Sequence, residues 1–145
     1  MKVRECMTRD VAVAQPGQTI AEAARMMAEC DAGALPVAEN ERLVGMVTDR
    51  DIAIRAVAQN KAPDTLVRDV MSKEVLYCFD DEDLDHVAEN MGQQQIRRLP
   101  VMNRDKRLVG IISLGDIATG AKPDTAGQAV AGISRPGGKH DQTVH

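Results

Sequence analysis

Tryptophan is absent from this 145-residue chain, and Tyr77 and Phe79 are its only aromatic residues. That excludes the rows of stacking rings that hold single-stranded nucleic acid. The core must come from Val, Ile, Leu, Ala and eight Met, side chains that pack closely and adapt in shape. An excess of positive charge is also missing, since 18 Lys and Arg face 22 Asp and Glu for a formal net charge of −4. A duplex-DNA binder driven by counterion release needs the opposite balance. No apolar run nears the ~20 residues that span a bilayer, and Met1-Lys2-Val3-Arg4 leads into no signal-peptide core. The expectation is a cytoplasmic protein with neither membrane nor nucleic acid as partner. Cys6, Cys30 and Cys78 are an odd set without close spacing, which fits a reducing compartment and small buried hydrophobes rather than nucleophiles. A zinc-ligand cluster, a Gly-Lys-(Ser/Thr) phosphate loop and a nucleophile elbow are missing too. No catalytic or metal-binding residues are expected, and the chain is not read as an enzyme.

What is there is a repeat. Val3-Arg4-Glu5-Cys6-Met7-Thr8 returns as Val67-Arg68-Asp69-Val70-Met71-Ser72, and Leu35-Pro36-Val37 as Leu99-Pro100-Val101. Leu43-Val44-Gly45-Met46-Val47-Thr48-Asp49-Arg50-Asp51 returns as Leu108-Val109-Gly110-Ile111-Ile112-Ser113-Leu114-Gly115-Asp116. Two similar units related by an approximate two-fold axis are implied, and any site near that axis occurs twice. Each repeat alone is near the size where a core is marginal.

Each repeat reads as strand, helix, two strands, helix. The first strand is expected at Val11–Val13 and at Val75–Cys78. Thr19 with Glu22 forms a capping box before an apolar face of Ile20, Ala23, Ala24 and Met27. Asp83 caps the matching helix over Leu84, Val87, Ala88 and Met91. Hairpins follow at 34–38 with 43–47 and at 99–102 with 108–112, and second helices start near Thr48 and Ser113. The boundaries are 1–60 for repeat 1, 61–66 for a linker and 67–121 for repeat 2. The Gly- and Pro-rich stretch 122–145 is expected to be a flexible or partner-docking tail.

Two copies of Leu-Pro-Val followed in register by Gly-h-h-(Thr/Ser)-x-x-Asp resemble the tandem cystathionine-β-synthase (CBS) domain pair, over residues 3 to about 120. The resemblance implies an α/β (α+β) fold of two β-α-β-β-α repeats packed through their sheets with pseudo-two-fold symmetry. It also implies a stand-alone regulatory, energy-sensing module that binds adenine nucleotides in clefts between the repeats, assembles as a homodimer and acts on an unknown protein partner. AMP, ADP or ATP is the implied ligand, with NAD or S-adenosylmethionine as further options and no cofactor required. The alternative is a dimeric scaffold whose clefts are degenerate.

Thr48 and Ser113 end a strand and begin a helix, where free N–H groups suit a phosphate. Asp51 and Asp116 lie within the first turn, where a carboxylate can accept from both ribose hydroxyls. The same Thr-x-x-Asp and Ser-x-x-Asp spacing also fits a capping box, and the two roles are compatible. The family's pattern, carried over residue by residue, implies two non-equivalent nucleotide sites. One joins Met46, Thr48, Arg50 and Asp51 to Val75, Leu76, Arg97, Arg98 and Pro100. The other joins Ile111, Ser113 and Asp116 to Val11, Ala12, Ala34 and Pro36. The first carries Arg50, Arg97 and Arg98 where the second has Gly115, Gly33 and Ala34. Arginine suits phosphate, so the Asp51 site is expected to bind more tightly. The other reading leaves Arg97 and Arg98 as solvated surface charges. Asp80-Asp81-Glu82-Asp83 is read as favourable to the following helix dipole, and His86 as a surface residue.

Overall fold

The computed structural model describes residues 1–120 and 123–134. The chain forms two compact units, Val11–Val75 and Met1–Asp10 with the chain from Leu76 onward.

In the Val11–Val75 unit, α1 (Ile20–Cys30) starts at Thr19, whose hydroxyl accepts from the Glu22 N–H at 3.1 Å. Ile20, Ala23 and Met27 are buried, while Ala24, expected on the same face, is exposed. Strand β1 (Ala34–Glu39) pairs antiparallel with β2 (Arg42–Thr48). Asn40 and Glu41 join them with φ of 53° and 66°, a tight turn whose twist matches that of the strands. Helix α2 (Asp49–Asp51) runs on as a π-helical stretch, Ile52–Ala56, and a 3-10 turn, Val57–Gln59. The strand expected at Val11–Val13 is reduced to one parallel bridge, Ala14 to Val37. Pairing stops there because the Gln15 N–H is taken by the Gln18 side chain at 2.8 Å and Pro16 has no N–H.

In the other unit, β3 (Cys78–Phe79) lies parallel to β4 (Arg98–Met102), which pairs antiparallel with β5 (Leu108–Ser113). The expected strand at Val75–Cys78 is thus displaced. Pairing with β4 begins only at Cys78 opposite Val101, and Leu76 and Tyr77 stay half exposed. Helix α3 (Leu84–Gln94) buries Leu84, Val87, Ala88 and Met91, and α4 (Leu114–Gly120) buries Ile117. Part of the expected tail is a helix, α5 (Pro123–Ile133). Ala129 enters the core of this unit, and the Gln95 side chain donates to Gly132 O at 3.1 Å. The chain approaches α3 closely, since a Cβ on Gly132 would sit 2.6 Å from Gly92 O. Ala and Gly fill this helix, so it carries little of the large-residue periodicity that marks a helix in sequence. Positions 135–145, with His140 and His145, lie outside the described residues.

The compact units are offset from the sequence repeats. Val67, Val70 and Met71, which open repeat 2, complete the core of Ala14, Ile20, Leu35, Val37 and Val47. Val3 and Met7, which open repeat 1, complete the core of Leu84, Val87, Leu99 and Ile112. Each opening segment bonds to the second strand of the hairpin it meets. Met46 and Ser72 exchange N–H···O bonds of 3.0 and 2.8 Å, and Thr8 and Ile111 exchange two of 2.9 Å. Gly45 and Gly110 make room for this. A Cβ there would lie 2.8 Å from Ser72 O and 2.6 Å from Thr8 O, respectively.

Candidate functional site

The duplicated hydroxyl–carboxylate pairs form two reciprocal caps. Asp51 N–H donates to Thr48 Oγ1 at 3.0 Å, and Thr48 N–H donates to Asp51 Oδ2 at 2.9 Å. Asp116 N–H donates to Ser113 Oγ at 3.1 Å, and Ser113 N–H donates to Asp116 Oδ2 at 3.0 Å. Capping is therefore realised at both motifs. It uses one carboxylate oxygen for the backbone and leaves each aspartate with further acceptor sites.

The Val11–Val75 unit holds Met46, Thr48, Arg50, Asp51, Val75, Val11, Ala12, Ala34 and Pro36. The other unit holds Leu76, Arg97, Arg98, Pro100, Ile111, Ser113 and Asp116. Within each unit the segment around the proline lies beside that unit's own motif. Ala34 is opposite Thr48 and Pro36 opposite Met46, as Arg98 is opposite Ser113 and Pro100 opposite Ile111. Asp49 N–H donates to Gly33 O and Leu114 N–H to Arg97 O, each at 2.9 Å. Each residue set expected from the sequence draws on both units. Arg50, Arg97 and Arg98 are exposed, whereas Ala34, Pro36 and Pro100 are buried.

Residues 3–57 and 67–121 each match the model of the CBS domain. The chain belongs to the CBS domain family. CBS domain-containing protein YhcV of Bacillus subtilis is 44% identical over 133 residues, 91% of this chain and 94% of its own length. Hypoxic Response Protein I, solved with two coordinated zinc ions, matches with a TM-score of 0.76 at 33% identity, over 84% of this chain and 100% of its own. The CBS domain pair of protein MJ0100, in complex with 5′-methylthioadenosine and S-adenosyl-L-methionine, gives 0.73 at 32% identity, over 82% of this chain and 94% of its own. CBSX2 in complex with AMP gives 0.73 at 26% identity, over 83% of this chain and 95% of its own.

Two side chains outside the CBS motif lie beside its carboxylates, and the sequence reading missed both. Arg55 Nε lies 3.8 Å from Asp51 Oδ1. Its place four residues after Asp51, one helical turn on, was a readable signal. The Thr8 hydroxyl lies 3.4 and 3.5 Å from the two Asp116 oxygens. The two are 108 residues apart in sequence, so nothing local marks the pairing. Next to Asp51, Arg55 also borders an open cavity of about 500 Å³ that Arg68, Ser72 and Lys73 help to line.

Other polar side chains of this CBS pair bond to one another or to nearby backbone. Asp83 accepts from the Asp85 N–H at 2.9 Å, capping α3 as expected. Asp81 takes a paired bond from Arg104 at 2.7 and 2.8 Å, and that guanidinium stacks 4.0 Å from the Phe79 ring centre. Hydrogen bonding by Arg104 holds the Asp81 carboxyl below its usual range. Among the described residues no group of three or more His, Cys, Asp or Glu could hold a metal ion. Cys78 is buried, and burial first, with Glu82 and Asp80 after it, pushes its thiol up to about 12. Cys30 is exposed, against the expectation of burial; it is the last residue of α1, beyond the buried stripe that ends at Met27. Among the described residues no helix is long and apolar enough to cross a membrane.

Proposed function

We propose that this chain is a non-catalytic regulatory module that binds an adenine nucleotide through its two Thr/Ser-x-x-Asp motifs. It acts as a cytoplasmic homodimer and signals to a protein partner through a change of conformation. The observation that carries this reading is the pair of matched caps, in which Asp51 and Asp116 are fixed by their own backbone yet keep acceptor capacity for a ribose diol. Structures of similar proteins with AMP, or with S-adenosyl-L-methionine and 5′-methylthioadenosine, support the ligand class. Met46, Thr48 and Arg50 would act with Asp51, and Ile111 and Ser113 with Asp116. The exposed guanidinium of Arg50 has only Gly115 as its counterpart. Arg97 and Arg98 likewise have only Gly33 and Ala34. The Asp51 motif should therefore hold the phosphate-bearing ligand more tightly.

Titration calorimetry with AMP, ADP, ATP, NAD and S-adenosylmethionine tests the proposal. Asp51→Ala should weaken binding by roughly 10- to 100-fold, the loss of a hydrogen-bonded carboxylate worth about 1.5–3 kcal/mol, and Asp116→Ala by less. Equal losses would remove the ranking of the two motifs. Heat-silent titrations with no thermal shift for all five ligands would leave a dimeric scaffold as the better reading.

A further inference from the structure

Both motif carboxylates are tied to the opening segment that completes their unit, and by unrelated chemistry. In the Val11–Val75 unit, Arg55 bridges the two. Its Nε faces Asp51 Oδ1 at 3.8 Å, and its Nη1 donates to Val70 O and Met71 O at 3.3 Å each. The Asp51 side chain is 16% exposed and that of Arg55 53%, so the carboxylate is sheltered while the guanidinium reaches it from the solvent side. In the other unit the segment reaches across itself. The Thr8 hydroxyl meets the Asp116 carboxylate at 3.4 and 3.5 Å, and Cys6 Sγ donates to Asp116 O at 2.9 Å. The position matching Arg55 is Gly120, which has no side chain to bridge with. The link is thus made twice although its residues are not duplicated.

We infer that Arg55 and Thr8 are positioning residues that couple occupancy of the motif carboxylate to docking of the exchanged segment. This rests on the reading that Asp51 and Asp116 hold the ligand. A ligand that orders the Asp51 carboxylate also orders the group that clamps Val70 and Met71, so binding and docking are linked and the coupling is reciprocal. The Ser72 and Thr8 amides report docking directly, because they donate to Met46 O at 2.8 Å and Ile111 O at 2.9 Å.

Hydrogen exchange by mass spectrometry on the full chain tests the coupling, with AMP and ATP as probes. In the wild type, saturating nucleotide should slow exchange at Ser72. Arg55→Gln should abolish that slowing and weaken binding about five- to tenfold, the lower part of the usual coupling range. Arg55→Lys, which keeps the charge but loses the fork, should restore part of both. Thr8→Val should abolish the slowing at position 8 and weaken binding at Asp116. Nucleotide binding with wild-type affinity and unchanged Ser72 protection in Arg55→Gln would overturn the inference. An arm without ligand keeps its failure distinct from that of the proposed function. Asp51→Asn preserves the cap acceptor but not the charge, and it should speed Ser72 exchange in the free protein several-fold. Unchanged exchange there would refute the tether whatever the nucleotides do.

Discussion

Alanine at Gly45 or Gly110 should unseat an exchanged opening segment. At Gly110 the added methyl would lie 2.6 Å from Thr8 O and 2.9 Å from Met7 Sδ. At Gly45 it would lie 2.8 Å from Ser72 O and 2.7 Å from Met71 Sδ. A thioether can swing aside, but a carbonyl oxygen moves only with its backbone. That oxygen also accepts the N–H of the next strand residue, Ile111 or Met46, at 2.9 or 3.0 Å. A retreat of about 1 Å takes both bonds of the bridge out of useful range. Two backbone hydrogen bonds at about 1 kcal/mol each are then lost, together with part of the packing of Met7 or Met71. Against this stands a gain of about 0.4–1 kcal/mol from a stiffer unfolded chain. With about 1–1.5 kcal/mol of lost methionine packing, the net cost is about 2–3 kcal/mol, a substantial share of the 5–15 kcal/mol that holds a domain together. For a chain of this size that lowers the melting temperature by roughly 6–12 °C. Differential scanning calorimetry reads it. Gly127→Ala is the control, since nothing lies within 4 Å of a Cβ at that helical position, and it should be neutral or slightly stabilising. Melting within about 1 °C of wild type for both Gly45→Ala and Gly110→Ala would refute the account of these glycines.

Gly132→Val should lift α5 from α3, because its Cβ would meet the Gly92 backbone at 2.6 Å; limited proteolysis after residue 120 should then be faster, and wild-type resistance would contradict the docking. Iodoacetamide at pH 8 should label Cys30 readily and spare Cys78 until the chain is denatured. The Cys78 thiol, raised to about 12, binds its proton more tightly folded than unfolded, so its contribution to stability is complete below about 8.5 and fades as pH climbs toward about 12. Asp81 behaves oppositely, since Arg104 lowers its value. Its contribution is present above about 3.9 and lost as pH falls through the lowered value, and a carboxyl NMR titration should show Asp81 returning toward the ordinary range in Arg104→Ala.

Much of the architecture is legible in the chain because the forces involved are local. Thr19 with Glu22 and Asp83 with Asp85 cap their helices within three residues. The hairpins β1–β2 and β4–β5 join neighbouring segments, and their boundaries follow the apolar runs. Of the two roles open to Thr48-x-x-Asp51, the cap is made, and the carboxylate keeps acceptor capacity beside it.

The sequence by itself determined the repeat, the caps, the hairpins and the positions of the two acidic motifs, all of which depend on residues a few places apart. Only tertiary structure decided that each opening segment completes the other repeat's core, that Gly45 and Gly110 are small to admit it, and that α5 covers α3. It also decided that Arg55 and Thr8 lie beside the two aspartates. These features join groups far apart along the chain, such as Thr8 and Asp116 at 108 residues. Such contacts follow from which apolar surfaces remain to be covered once the local elements have formed. No periodicity or motif records that choice, and such similar opening segments fit either body by their apolar pattern alone.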